Sequence, residues 1–171
     1  MSDQVTLLQA ICATTYTVAD MRRRLGLLQE GAEVALFNNQ TTDVAAAIKT
    51  AITNRGKESD VVVMMEWEDA MFAQFTASNI RKRITALQQA VDALPIMTLY
   101  IPVAFPKKDL AAMAMWCREE CAPQLLFDVR IDPKVAGGCA FVWNGTYHDF
   151  SFTAQSKKYP GIITEQLHTY A

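Results

Sequence analysis

The sequence predicts an α+β protein. An N-terminal antiparallel helical hairpin or bundle over residues 1–95 is followed by a small C-terminal α/β domain with a mixed sheet over residues 96–171. Three observations predict it. As far as Leu94, apolar residues recur in steps of three and four, which lines them along one face of a helix. At Pro95 the period changes, and Met97, Leu99, Ile101 and Val103 alternate as in a strand. The run from Gln124 to Phe152 then reads strand, helical turn, strand, tight turn, strand.

In the helical half, the spacing of Leu7, Ile11, Thr14, Val18, Met21, Leu25, Leu28, Ala32 and Ala35 predicts one helix from Asp3 to about Phe37. A break is expected between Gly26 and Gly31, because each glycine costs roughly 1 kcal/mol against alanine in a helix interior. Asn38-Asn39-Gln40 reads as a linker. Thr41 or Thr42 is the expected cap of a short second helix that carries Val44, Ile48, Ala51 and Ile52 on one face and ends at Asn54-Arg55-Gly56. Ser59 or Asp60 opens a long third helix, Val61 to Leu94, with the stripe Ala70, Ala73, Ala77, Ile80, Ile84, Leu87, Val91 and Leu94. Pro95 ends it, because proline disfavours α conformation in the residue before it. Two long striped helices with a short one between them make a hairpin or small bundle. Ile80, Ile84, Leu87, Val91 and Leu94 are the candidates for gripping a partner helix.

In the second half, the strand Ile96 to Val103 carries Pro102 near its end, where the missing donor is tolerated. Pro106 and Lys107 open a helix to about Cys121, with Leu110, Met113, Ala114 and Cys117 inward. That helix is the right size to cross over between parallel strands. Leu125 to Ile131 alternates as a half-buried strand. Asp132 can cap a helical turn in which Pro133 loses no needed donor. Gly137 and Gly138 end that turn, where glycine enters left-handed conformations without Cβ strain. Cys139 to Trp143 is a strand, Asn144-Gly145 is the signal of a tight hairpin turn, and Thr146 to Phe152 is the returning strand. Ala154 to Lys158 reads as a helical turn, Tyr159-Pro160-Gly161 as a break, and Ile162 to Tyr170 as a last short helix.

Composition narrows the function classes. A net charge of -2 argues against nucleic-acid binding. The basic clusters Arg22-Arg23-Arg24 and Arg81-Lys82-Arg83 read as solvated helix faces. No N-terminal stretch has the pattern of a signal peptide, and no apolar run approaches the ~20 residues of a membrane span. Cys12, Cys117, Cys121 and Cys139 read as small buried side chains of a reducing compartment, since Cys117 and Cys121 share a helix face with no further metal ligands spaced to join them. No glycine-rich phosphate loop, nucleophile elbow or paired-histidine motif occurs. No catalytic, cofactor-binding or metal-binding residue is therefore assigned, and no cofactor is expected. His148 and Asp149 point to opposite faces of a strand, and Asp128 with Arg130 reads as an exposed ion pair.

The stretch FDVRIDPKVAGGCAFVWNGTYHDFSF resembles the C-terminal signature of the delta subunit of F-type ATP synthases, the oligomycin-sensitivity-conferring subunit of mitochondria. The matching positions are Asp132, Pro133, Val135, Gly137, Gly138, Asn144, Gly145, Asp149 and Ser151. With the preceding strand and helix, the match covers about the last 40% of the chain. The resemblance implies a protein that catalyses nothing. It would link the catalytic head, made of alpha and beta subunits, to the b-type peripheral stalk, so that rotation is coupled to ATP synthesis. It also implies a peripheral location at the cytoplasmic face of an energy-transducing membrane, held there through partners with no membrane insertion of its own. Two other readings stand beside it: a helical adaptor that dimerises or grips a partner helix through the Ala70–Leu94 stripe, and a small enzyme or ligand-binding domain with a pocket around Asp128, His148 or Asp149.

Overall fold

The computed structural model describes residues 2–37, 43–135 and 137–158, with side chains from residue 7 onward. The chain divides into two compact units, Met1–Pro95 and Ile96–Ala171. Its secondary structure is the α+β arrangement that the patterning predicts, helices first and then a four-stranded mixed sheet. The expectations for Asn38-Asn39-Gln40, Thr41, Thr42, Tyr159-Pro160-Gly161 and Ile162 to Tyr170 lie outside the described residues.

The first unit holds six helices among the described residues, where the periodicity suggests three. They are α1 (Ser2–Ala13), α2 (Val18–Phe37), α3 (Val44–Arg55), α4 (Glu58–Met65), α5 (Asp69–Ala73) and α6 (Ile80–Asp92). The first long helix breaks at Thr14–Thr17, while Gly26 and Gly31 both lie inside the unbroken α2. Thr17 starts α2 by a reciprocal cap. Its Oγ1 accepts from the Asp20 backbone N–H at 3.1 Å, and its hydroxyl donates to Asp20 Oδ2 at 2.9 Å. Gly31 is required by packing: a Cβ there would lie 2.7 Å from the Cα of Ile48, so α3 could not approach α2 as it does. Asp43 caps α3 by accepting from Ala46 N–H at 3.1 Å.

The expected third helix is interrupted twice. At Trp67 the chain leaves α4, and the buried indole donates its N–H to Thr14 Oγ1 at 3.1 Å. Between α5 and α6, Asn79 Oδ1 accepts from Thr76 N–H at 2.9 Å, and Asn79 Nδ2 donates to the Gln74 carbonyl at 3.1 Å. Short polar side chains here bond the local backbone and so compete with the helical ladder.

A buried ion cluster ties α2 to α4 and to the turn before α2. Arg24 Nε donates to Asp60 Oδ1 at 3.1 Å, and Arg24 Nη1 donates to the Thr14 carbonyl and Thr15 Oγ1. Arg23 Nε reaches Asp60 Oδ2 at 2.9 Å, and Arg23 also bonds Asp20. The Arg22-Arg23-Arg24 cluster is thus only partly a solvated face, since Arg24 is buried. Burial alone would push the Asp60 carboxyl up. The hydrogen bonds from Arg23 and Arg24 outweigh that and hold it below the usual carboxylate value.

The second unit runs β1 (Ile96–Ile101), α7 (Lys107–Glu120), β2 (Leu126–Ile131), a 3-10 turn at Pro133–Val135, β3 (Ala140–Trp143), β4 (Thr146–Asp149) and α8 (Phe152–Lys158). The strand order is β2-β1-β3-β4. β1 and β2 are parallel, joined through α7, with Ile96 opposite Leu126. β1 and β3 are antiparallel with Leu99 opposite Phe141, and β3 and β4 form a hairpin with Val142 opposite Tyr147. β1 is internal to the sheet and ends at Ile101, so Pro102 sits just beyond it. Met97, Leu99, Ile101, Leu125, Leu126 and Phe127 are buried, as are Ala114 and Cys117 of α7. The returning strand stops at Asp149, short of the expected Phe152, because Phe152 already begins α8.

Candidate partner-binding surface

The residues of the Asp132–Ser151 motif form a scaffold of caps and turns. Asp132 Oδ1 accepts from Lys134 N–H at 3.0 Å and so starts the 3-10 turn. Gly137 and Gly138 follow with φ of 86° and 77°. A Cβ at Gly138 would run into the Phe150 carbonyl oxygen, so only glycine lets the two segments lie side by side. They are joined by Phe150 N–H to the Cys139 carbonyl at 2.9 Å and Phe152 N–H to the Gly137 carbonyl at 3.0 Å. Asn144 and Gly145 both take positive φ, 50° and 75°, as a tight hairpin turn requires. Asp149 Oδ1 accepts from Ser151 N–H at 2.8 Å, and the buried Ser151 caps α8 by accepting from Ala154 N–H at 3.1 Å. The hydrogen bonds from Ser151 hold the Asp149 carboxyl below its ordinary value.

This scaffold presents Phe150 and Phe152 on either side of Ser151, both more than half exposed. Elsewhere in the unit, α7 turns a second apolar face outward. Ala112, Met115 and Trp116 lie at helical spacing between the charged Lys108 and Glu119, and all five are exposed. Trp116 is 62% exposed. Tryptophan is costly to leave in water and is enriched at the anchor points of protein interfaces. Sequence reasoning missed this face because the inward stripe of α7 absorbs the pattern. The signal that could have found it is the Ala112-Met115-Trp116 spacing, one helical face away from Ala114 and Cys117.

The candidates from the third helix are placed differently. Ile80, Ile84, Leu87 and Val91 are buried in the first unit's own core, where α6 packs on α1 and α2. Leu94 is half-buried beyond the end of α6. The residues expected to grip a partner helix are therefore occupied internally. They do not form one stripe with Ala70 and Ala73, which lie on the separate α5. Beside α6 runs a groove of about 340 Å³ lined by residues that include Ala32, Leu36, Phe37, Arg81 and Ile84, at whose edge Phe37 is 80% exposed.

His148 and Asp149 form no joint site. His148 stacks on Phe141 with centroids 4.9 Å apart, while Asp149 is engaged by Ser151. Asp128 accepts from Arg130 Nη2 at 2.9 Å on the partly exposed sheet face, where Arg130 also lies over Tyr100. Among the described residues no cluster of three or more His, Cys, Asp or Glu could hold a metal ion, and no helix is long and apolar enough to cross a membrane. Of the cysteines expected to be buried, Cys12 and Cys117 are so, Cys139 is half-buried and Cys121 is exposed.

No protein-family model matches the chain, and no curated protein matches its sequence.

Proposed function

We propose that the protein is a non-catalytic peripheral-stalk subunit of an F-type ATP synthase, divergent within the delta-subunit family that it resembles. The observation that carries this reading is the Asp132-Pro133…Gly137-Gly138…Asn144-Gly145…Asp149-Phe150-Ser151 motif. Its polar and glycine residues cap helices or make turns, as suits a scaffold that presents a docking surface. Two further features support it. A helical unit precedes the α/β unit, in the order of the resembled family. The exposed Met115–Trp116 face of α7 and the Phe150/Phe152 pair are apolar anchors of the kind that hold an amphipathic helix. In this reading the second unit holds the end of the b-type stalk, the first unit holds the alpha/beta head, and the protein is membrane-peripheral through those partners.

The test is affinity purification of the tagged protein from its native membranes in mild detergent. Near-stoichiometric alpha, beta and b-type subunits are expected. Purification without them overturns the reading. Trp116→Asp is expected to weaken b-subunit recovery at least about thirtyfold, as loss of a ~2 kcal/mol anchor would. Its circular dichroism should match wild type, because the side chain it replaces is exposed.

A further inference from the structure

The last turn of α7 carries two thiols in one place. Cys117 is buried on the inner side of the helix, and Cys121 follows one turn later as the exposed residue that caps the helix end. The Cys121 backbone N–H donates to the Cys117 carbonyl at 2.8 Å, which fixes the two residues one helical turn apart. Helix geometry sets Cα atoms four residues apart at about 6.2 Å. That falls inside the range of about 4.4–6.8 Å found across native disulfides. Cβ atoms on a regular helix would stay roughly 2 Å too far apart, so closure requires the last turn to tighten. Cys121 can make that movement because it lies past the final helical residue, Glu120, and is held by a single turn of backbone bonding.

We propose that Cys117 and Cys121 are a redox-modified pair that closes reversibly to a disulfide, with Cys121 as the attacking thiol and Cys117 as the resolving one. The roles follow from access. Cys121 faces solvent. Burial, and then the neighbouring Cys121, push the Cys117 thiol up and make it the poorer first nucleophile. With a low-molecular-weight disulfide such as oxidised glutathione as oxidant, the Cys121 thiolate attacks one sulfur and expels one glutathione thiolate. The Cys117 thiolate then attacks Cys121 Sγ in the mixed disulfide and expels the second. The two protein thiols lose two protons and two electrons, and one oxidised glutathione becomes two reduced ones. Closure pulls Cys121 from its capping bond and retracts the helix end next to Trp116. The inference does not depend on the stator reading.

The sequence supplies a direct readout, because Arg118 lies between the two cysteines. The folded full-length protein is equilibrated with a glutathione buffer, quenched in acid, alkylated, and digested with trypsin. Oxidation is expected to link the peptides Asp109–Arg118 and Glu119–Arg130, with the loss of two hydrogen atoms, and excess reduced glutathione should separate them. Cys121→Ser should abolish the link and leave Cys117 unmodified. Cys117→Ser should instead trap Cys121 as a stable adduct with one glutathione. The proposal is overturned if wild-type Cys121 remains reduced or stops as the mixed disulfide, or if the link that forms joins Cys139 or Cys12.

Discussion

Asp60 shows how one side chain can hold several elements. It neutralises Arg24 in a place where both are almost wholly out of water. Replacing one member of such a pair leaves the other charge buried and uncompensated, at a cost of about 3–5 kcal/mol. Asp60→Ala is expected to lower the urea midpoint of the first unit accordingly. The Asp60 carboxyl titrates below its ordinary range when folded, so the stability it contributes is fully present above about pH 4 and is lost as pH falls through the lowered folded value. An acid titration of the Asp60→Ala variant should therefore be flatter than wild type over that window. Gly138 is a second point of high leverage. Gly138→Ala must either leave its positive φ or push the Phe150 carbonyl away, and it should destabilise the sheet unit by more than the ~1 kcal/mol by which a strain-free glycine-to-alanine exchange stabilises. Ser151→Ala removes the α8 cap and should cost about 0.5–2 kcal/mol, read by thermal unfolding.

At the level of elements, the second unit was the more legible in sequence, for a physical reason. Its boundaries are set by residues with local duties: Asp132 and Ser151 cap, Gly137 and Gly138 turn, and Asn144-Gly145 closes a hairpin. Such duties are written in the residue type. The first unit's boundaries depend on tertiary contacts. Trp67 leaves α4 to reach Thr14, 53 residues away in sequence, and no local pattern announces that bond. The break at Thr17 did carry a local sign, a threonine with an acidic residue three positions on, but the apolar period runs across it and masks it. The glycines misled for a related reason. Gly31 reads as a weak point in a helix and serves instead as the flat spot against which α3 lies. Gly31→Val is expected to force the two helices apart at a cost of about 1–3 kcal/mol, visible as a lower melting temperature with helix content retained. The candidate surface was the least legible part, because whether an apolar residue such as Trp116 or Ile84 faces inward is decided by what packs beside it.

Across the whole molecule, each unit has its own core, one built from α1–α6 and one around β1 and α7. Units with separate cores tend to open separately. Hydrogen exchange should show Asp60→Ala weakening protection in residues 7–37 and 43–94 while β1–β4 keep theirs, and Gly138→Ala should do the reverse. The strand order β2-β1-β3-β4 carries one more consequence, for the time course of folding. Val142 and Tyr147 meet across a two-residue turn, whereas Leu126 must find Ile96 from 30 residues away, with α7 formed between them. Hairpins close in about 1–10 μs, and pairings across long stretches of chain come later because the ordering of the intervening residues precedes any gain. The expected sequence is hairpin first, with the pairing of β1 to β2 across 30 residues and to β3 across at least 40 following later. Substitutions at Asn144, in the hairpin turn, should then slow refolding more than Val129→Ala, in β2, does; chevron plots of the two variants would distinguish their rates.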